Sequence, residues 1–190
     1  GAFIAAFAGI TCGHLVSGKT KVDIIVTPVI TIGAGSVVGL LVGPPISQMM
    51  TGLGSIINWA TEQRPFIMGI VVSVVMGMVL TLPISSAALG IILNLSGLAA
   101  GAATIGCSCQ MVGFAVSSFR ENRWGGIVSQ GLGTSMLQVP NILRHPAILV
   151  PPTLASAILG PFGTTVFQML NEGISGGMGT CGFVGQIGTF

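Results

Sequence analysis

Long apolar blocks make up most of this chain, and a few charged clusters separate them. The charged breaks fall at Lys19, Lys21 and Asp23, at Glu62 and Arg64, at Arg120, Glu121 and Arg123, and at Arg144 beside His145. The blocks between them cover residues 24–43, 66–95, 97–119, 124–140 and 146–170, and residues 1–18 are expected to be the tail of an earlier span. A hydrocarbon core of about 30 Å takes roughly 20 apolar residues per helix, so the pattern predicts a multi-pass membrane protein.

Three apolar stretches contain residues that interrupt helices. Prolines and glycines divide residues 150–163, glycines crowd the closing run 173–188, and the block 66–95 is interrupted by Thr81, Pro83, Ser85 and Ser86. Broken backbone at membrane depth is tolerated only where it lines a cavity or is covered by protein. The pattern therefore predicts broken or re-entrant helices around the binding region of a transporter. Kinked helices in an ordinary bundle are the alternative.

Residues 46–64 have a different, amphipathic pattern. Met49, Leu53, Ile56, Ile57 and Ala60 fall on one helical face, and Gln48, Ser55, Asn58 and Glu62 lie nearer the other. Trp59 has the position of an interfacial anchor. Because proline stops helices, the pair Pro44 and Pro45 is expected to end the preceding helix. The segment is predicted to lie along the membrane surface, and a short tilted span is the alternative.

The composition fixes the solvent of most of the surface. Hydrophobic residues make up 51% of the chain and charged residues 5%, and the mean hydropathy is +0.95. A water-exposed surface needs far more charge, so the expected fold is an all-α integral membrane bundle in contact with the lipid bilayer. The net charge of +2, without a basic run, gives no indication of nucleic acid binding. The basic-loop bias places Lys19, Lys21, Arg120 and Arg123 on the cytoplasmic side.

Ionisable groups inside a bilayer cost about 2.5–3.5 kcal/mol, so each one is a candidate functional residue. Glu172 stands before a glycine-rich run, and Asn171 beside it has both donors and an acceptor. His145 can exchange protons near neutral pH. The predicted substrate-binding set is Glu172, Asn171, His145, Ser85 and Ser86, with no catalytic residue. The alternatives are that Glu172 caps the next helix or lies in an interfacial loop, and that His145 is a loop residue.

The four cysteines, Cys12, Cys107, Cys109 and Cys181, lie in apolar, glycine-rich surroundings, where a disulfide framework is not expected. Thiolates and imidazole can bind a soft metal ion, so Cys107, Cys109 and a histidine suggest an intramembrane metal-dependent enzyme as one hypothesis. Residues two apart face different ways on a helix, however. The sequence therefore favours no metal site and no cofactor.

Residues 22–78, VDIIVTPVITIGAGSVVGLLVGPPISQMMTGLGSIINWATEQRPFIMGIVVSVVMGM, resemble the membrane (IIC) subunits of the bacterial sugar phosphotransferase system, particularly the fructose-like kind. The run GMGTCGFVGQIGT near the end is similar to the branch labelled perfringolysin regulator-like. The resemblance covers nearly the whole chain. It implies a homodimeric inner-membrane protein with a scaffold region at 1–45, an amphipathic connecting helix at 46–64 and a transport domain with re-entrant hairpins at 65–190.

The resemblance also implies a site. Sugar-binding members use a histidine and a hairpin glutamate to hold sugar hydroxyls, and Glu172 in LNEG matches the acidic hairpin motif. TLPISSAAL matches the first hairpin but contains no histidine or acidic residue. No soluble phosphoryl-carrier domain is recognisable, so the chain itself is expected to be non-catalytic, and sugar phosphorylation needs separate cytoplasmic phosphotransferase subunits.

Two functions from different classes follow. The first is a permease that translocates a small polar solute, resembling a sugar, past Glu172, with motion through the helix at 46–64. The second is a membrane-embedded ligand sensor or regulator that keeps the same fold without transport. The small number of polar groups in the predicted site favours the second.

Overall fold

The computed structural model describes residues 2–19, 23–82 and 85–190. Lys21 and Pro83, which the sequence places at a charged break and in an interruption, lie outside the described residues. The α-helices are α1 (Ala2–Val16), α2 (Asp23–Gln63), α3 (Pro65–Thr81), α4 (Ser86–Ile92), α5 (Gly97–Ser117), α6 (Phe119–Gly126), α7 (Val139–Arg144), α8 (Val150–Thr165), α9 (Gly173–Gly176) and α10 (Val184–Ile187). Other elements are a π-helix (Ile127–Gly133), 3-10 turns (Ser135–Gln138, Pro146–Leu149, Cys181–Phe183) and a two-residue strand, β1 (Asn171–Glu172).

The predicted all-α membrane bundle is confirmed. Within the described residues, three helices are long and apolar enough to cross a membrane: Asp23–Gln63, Gly97–Ser117 and Pro146–Thr165, the last including the 3-10 turn before α8. Large apolar side chains such as Leu40, Ile92 and Phe162 are exposed on the chain's surface. Lipid rather than water is the solvent that such a surface fits.

The chain forms two compact units, Gly1–Gly52 and Leu53–Phe190. In the first, α1 meets α2 at glycines: a Cβ on Gly9 would lie 2.7 Å from the carbonyl oxygen of Thr31. The boundary between the units falls inside the predicted connecting helix. Scaffold, connector and transport roles for 1–45, 46–64 and 65–190 stay predictions.

The expected helix end at Pro44 and Pro45 is wrong. Both prolines lie inside α2, which continues from Asp23 to Gln63. Each proline removes one main-chain donor, whereas in lipid an exposed helix end costs several kcal/mol for each unpaired group.

The core of the second unit is a bundle of α3, α5 and α8 packed through small residues. A Cβ on Gly106 of α5 would overlap the carbonyl oxygen of Ser73 in α3. The Ser73 hydroxyl donates to the carbonyl of Ser156 in α8 at 2.8 Å. Such close main-chain approach is how helices associate when lipid offers no hydrophobic driving force. Met76, Cys107 and Met111 are among the side chains buried in this core.

The predicted interruptions have mixed outcomes. The break after Thr81 is confirmed, since α3 ends there and α4 begins at Ser86. The closing run is confirmed as irregular, with short turns around α9 and α10. The interruption of 150–163 is wrong, because α8 is continuous: Pro151 and Pro152 occupy its first turn, where no main-chain donor is needed, and Pro161 is accommodated inside it.

The two short helices that follow interruptions pack against each other antiparallel. Gly90 of α4 meets Gly173 of α9, where a Cβ on either residue would strike the other's carbonyl oxygen. At the other end of the pair, the Ser86 hydroxyl donates to the Gly177 carbonyl at 2.6 Å. The α4–α9 pair is therefore joined by main-chain contact at one end and by the Ser86 hydroxyl at the other.

Candidate functional site

Asn171 is the centre of a buried polar cluster at the beginning of α5. Its Nδ2 donates to the hydroxyls of Thr104 at 2.7 Å and Thr189 at 3.2 Å, and to the Gly185 carbonyl at 3.0 Å. Its Oδ1 accepts from the Glu172 main-chain N–H and from the Ser175 hydroxyl. The side chain is 5% exposed, and these bonds use its whole donor and acceptor capacity. In this conformation Asn171 fixes the backbone rather than offering an amide to a solute.

Glu172 extends from this cluster with its side chain exposed. Its main chain pairs antiparallel with Ser96, and Asn171 pairs with Gly97, whose φ of +58° is a conformation that favours glycine. Glu172 holds the N-cap position of α9, but its side chain makes no capping hydrogen bond. The capping alternative is therefore not supported. Among residues 2–19, 23–82 and 85–190, no group forms a hydrogen bond or ion pair with its carboxylate.

Asn58 connects the end of α2 to the same place. Its Nδ2 donates to the Asn94 carbonyl at 2.8 Å, and its Oδ1 accepts from the Ser96 N–H at 3.2 Å. One turn earlier, Gly54 is packed so closely on Leu93 that a Cβ would overlap the Leu93 carbonyl oxygen. The turn that pairs with Glu172 is thus held from the far side by α2.

The predicted serines lie at the other end of the α4–α9 pair from Glu172. The Ser86 side chain is buried, and its hydroxyl is engaged with Gly177. Ser85 is the N-cap of α4, where its hydroxyl accepts from the Ala88 N–H at 3.2 Å. Both hydroxyls make structural bonds in this conformation, and their contact with a solute stays a prediction.

His145 lies elsewhere, on a cavity of about 660 Å³ at the end of α5. This polar cavity is lined by Ser117, Ser118, Glu121, Asn141 and His145, among others. A cavity of this size is in the range of about 300–1,000 Å³ that small-molecule sites occupy.

The length of helix α5 gives the distance between Glu172 and His145. Glu172 pairs with Ser96, immediately before α5 begins, and His145 shares the polar cavity with Ser117, where α5 ends. A 21-residue helix is about 30 Å long. The structure therefore brings Glu172 and Asn171 together and leaves His145 roughly a membrane thickness away.

The cysteines give the metal hypothesis no support. Cys107 is buried, with its thiol directed to the Met76 carbonyl at 3.5 Å, and all four cysteines are free. Over the ranges that the structure describes, no three or more His, Cys, Asp or Glu side chains are grouped to hold a metal ion.

Comparison with known proteins identifies the family. The sequence model described as "Phosphotransferase system, EIIC" matches residues 1–190. The chain belongs to this EIIC family. No curated protein matches, and no solved structure matches. EIIC domains are integral membrane components of sugar transport, which agrees with the three candidate spans, so the chain is a membrane domain of the sugar-transport type.

Sequence reasoning missed the residues that hold this EIIC site together. Thr104, Thr189, Ser175 and Asn58 were not singled out as partners of the Asn171–Glu172 segment. Thr104 follows the small residues of α5, and Asn58 lies on the polar side of an amphipathic stretch. A signal exists in hindsight only for Asn58, because an amide within a packed helix requires partners when it is half-buried.

Proposed function

We propose that this EIIC domain translocates a small polar, sugar-like solute and that Glu172 is the side chain that contacts it. The observation that carries the proposal is an exposed carboxylate that has no partner among the described residues, set on broken backbone that three separate elements hold in place. Carboxylate oxygens accept hydrogen bonds from sugar hydroxyls, and bonds to a charged acceptor are about twice as strong as neutral ones. Family membership supplies the solute class.

The neighbouring residues have supporting roles in this proposal. Asn171 positions Glu172 by accepting a hydrogen bond from the Glu172 N–H, and Asn58 positions Ser96, with which Glu172 pairs. Main-chain contact between Gly90 and Gly173 couples α4 to α9, so displacement of either short helix moves Glu172. Such coupled motion of broken helices fits alternating access.

Uptake into vesicles tests the proposal. We expect Glu172→Gln to reduce uptake of the transported sugar at least tenfold, because the strong acceptor becomes a weaker neutral amide. Glu62→Gln is the matched control: the same change at another exposed carboxylate, near the end of α2, should leave uptake unchanged. Equal uptake by the Glu172→Gln and unmodified proteins would contradict the assignment.

The second candidate function is a ligand sensor of the same fold. One observation favours it. The polar groups of Asn171, Ser85 and Ser86 form hydrogen bonds within the chain, so Glu172 is left with few polar neighbours that could contact a solute. Saturable sugar binding by purified protein, with no flux in vesicles that hold an active control permease, would select the sensor over the permease.

Several finer features belong to the same proposal. The fructose-like subtype, the regulator-like branch, a homodimer and separate cytoplasmic phosphotransferase subunits all come from the sequence resemblance. Assay of uptake with and without a cytoplasmic phosphotransferase fraction tests whether phosphorylation drives transport. Crosslinking in the native membrane tests the dimer.

A further inference from the structure

A chain of hydrogen-bonded amides, here called the amide wall, lies beside the polar cavity at the end of α5, and two of its members, Gln138 and Asn141, line that cavity. Gln130 Nε2 donates to the Ser118 hydroxyl at 3.0 Å, Gln138 Nε2 donates to Gln130 Oε1 at 3.0 Å, and Asn141 Nδ2 donates to Gln138 Oε1 at 2.8 Å. Gln130 is 3% exposed and Gln138 is 5% exposed. Buried amides of this kind are costly unless they are bonded, so the wall is a rigid, ordered polar surface.

The same wall faces a second cavity, of about 360 Å³, which shares Asn122, Gln138 and Asn141 with the first. Part of the hydrogen-bonding capacity of these shared amides is unused. Asn141 Oδ1 and one Nε2 hydrogen of Gln138 have no partner among the residues the structure describes. The Asn122 side chain likewise has no hydrogen-bond partner among the described residues. Donors and acceptors thus stand side by side at the junction of the two cavities.

The charged groups that line the polar cavity limit the class of ligand that can bind there. The polar cavity contains the Glu121 carboxylate and the His145 ring, and no lysine or arginine is among its described lining residues. Neither Glu121 nor His145 has a side-chain partner in the described ranges. The remaining lining, including Phe114, Ile148 and Pro151, is apolar. A lining that combines apolar side chains with neutral polar groups and one carboxylate fits a neutral ring or chain that carries hydroxyls, and it repels a phosphate group.

We propose that the polar cavity is a second binding site, for a small neutral polyhydroxylated molecule of the hexose or hexitol class, at the opposite end of α5 from Glu172. Glu121 and Asn141 accept from its hydroxyls, Gln138 donates to it, and the apolar lining residues contact its C–H face. The site receives the free sugar and not its phosphate ester. The choice of a sugar-like ligand rests on the proposed function, but the site itself rests on the cavity and its amide wall.

The two tryptophans of this chain allow a direct test, because each lies near one end of α5. Trp124 adjoins Gly125 and Gly126, which line the second cavity, and Trp59 follows Asn58, which holds the turn that pairs with Glu172. The Trp59→Phe variant therefore leaves Trp124 as the reporter of the polar cavity. Its fluorescence is titrated in purified protein with fructose, glucose, mannitol and, as the charged counterpart, fructose 1-phosphate.

Three further substitutions in the Trp59→Phe background assign the signal. Glu121→Gln removes the charged acceptor with little change of shape and should weaken binding about tenfold. Asn122→Leu removes a polar group from the cavity without breaking a side-chain bond and should weaken binding several-fold. Glu172→Gln is the matched control, because it makes the same change about 30 Å away along α5 and should leave the Trp124 titration unaltered.

A saturable Trp124 response to a neutral sugar, weakened by Glu121→Gln and not by Glu172→Gln, supports the second site. No saturable response to any probe, equal response to fructose 1-phosphate, or a response abolished only by Glu172→Gln overturns it. The outcome is independent of transport. If the vesicles show no flux for any sugar, the permease proposal fails while a Trp124 response still supports the site.

Discussion

Both the nitrogen and the oxygen of the Asn58 side-chain amide form hydrogen bonds with the turn before α5, and the residue bonded to the oxygen, Ser96, is the one that pairs with Glu172. Thirty-eight residues of sequence separate Asn58 from Ser96. A side chain on the long helix α2 thereby sets the main-chain position of a residue opposite the candidate carboxylate.

Replacement of Asn58 by leucine should therefore weaken both stability and function. We expect a loss of about 1–2 kcal/mol in unfolding free energy, because two hydrogen bonds to main chain disappear, and a fall in sugar uptake. Thermal unfolding in detergent and uptake in vesicles measure the two effects. Gln63→Leu, a comparable change at an exposed position of the same helix, should be neutral in both, and matching behaviour of the two variants would refute the positioning role.

The buried cluster of Asn171 gives a second prediction. Asn171→Asp removes the Nδ2 donor from Thr104, Thr189 and Gly185 and places a carboxylate against three acceptors. We expect a loss of about 1–3 kcal/mol of stability, read from the melting temperature. The same substitution at Asn94, whose side chain is exposed, should cost much less, and an equally small cost at Asn171 would show that the cluster is not stabilising.

Close packing of α4 on α9 gives a third prediction. In Gly90→Ala the new methyl group meets the Gly173 carbonyl oxygen, so the pair must separate. We expect a destabilisation of about 1–3 kcal/mol together with reduced uptake. Gly33→Ala in α2, where a Cβ meets open space, should be neutral or slightly stabilising because alanine favours the helix. Unchanged melting and uptake in Gly90→Ala would contradict the close joint.

The amide wall gives a fourth prediction. Gln130→Leu leaves the Gln138 amide and the Ser118 hydroxyl buried without their partner. We expect a loss of about 1–3 kcal/mol in stability and a weaker Trp124 response to sugar. Gln48→Leu at an exposed site of α2 is the control for the substitution itself. If the Gln130→Leu protein has the same melting temperature as the control, the amide wall does not contribute to stability.

Composition and block length were enough to predict the membrane bundle and the break after Thr81, because both depend on local preferences and on the thickness of a bilayer. Pro44, Pro45 and Pro161 misled the prediction. A proline costs one donor and a local clash, whereas an open helix end in lipid exposes several unpaired groups, so the helix continues. Local sequence does not reveal which cost is larger at a given proline.

The site was half predictable for a related reason. Glu172 and Asn171 stand out as polar residues in an apolar chain, and adjacency in sequence guarantees that they stay together. The distance between Glu172 and His145 depends on helix α5, which has one of them near each of its ends, and no sequence motif predicts this arrangement. Likewise, no motif predicts that the Ser86 hydroxyl bonds the carbonyl of Gly177, 91 residues further along the chain.

The joint between α4 and α9 is made by glycines, carbonyl groups and the Ser86 hydroxyl, so its shape depends more on the main chain than on side-chain chemistry. Residues around it are then free to vary without loosening it. Over evolutionary time, a chain built this way can accept substitutions on the exposed surface near Glu172 without a change in how α4 and α9 pack.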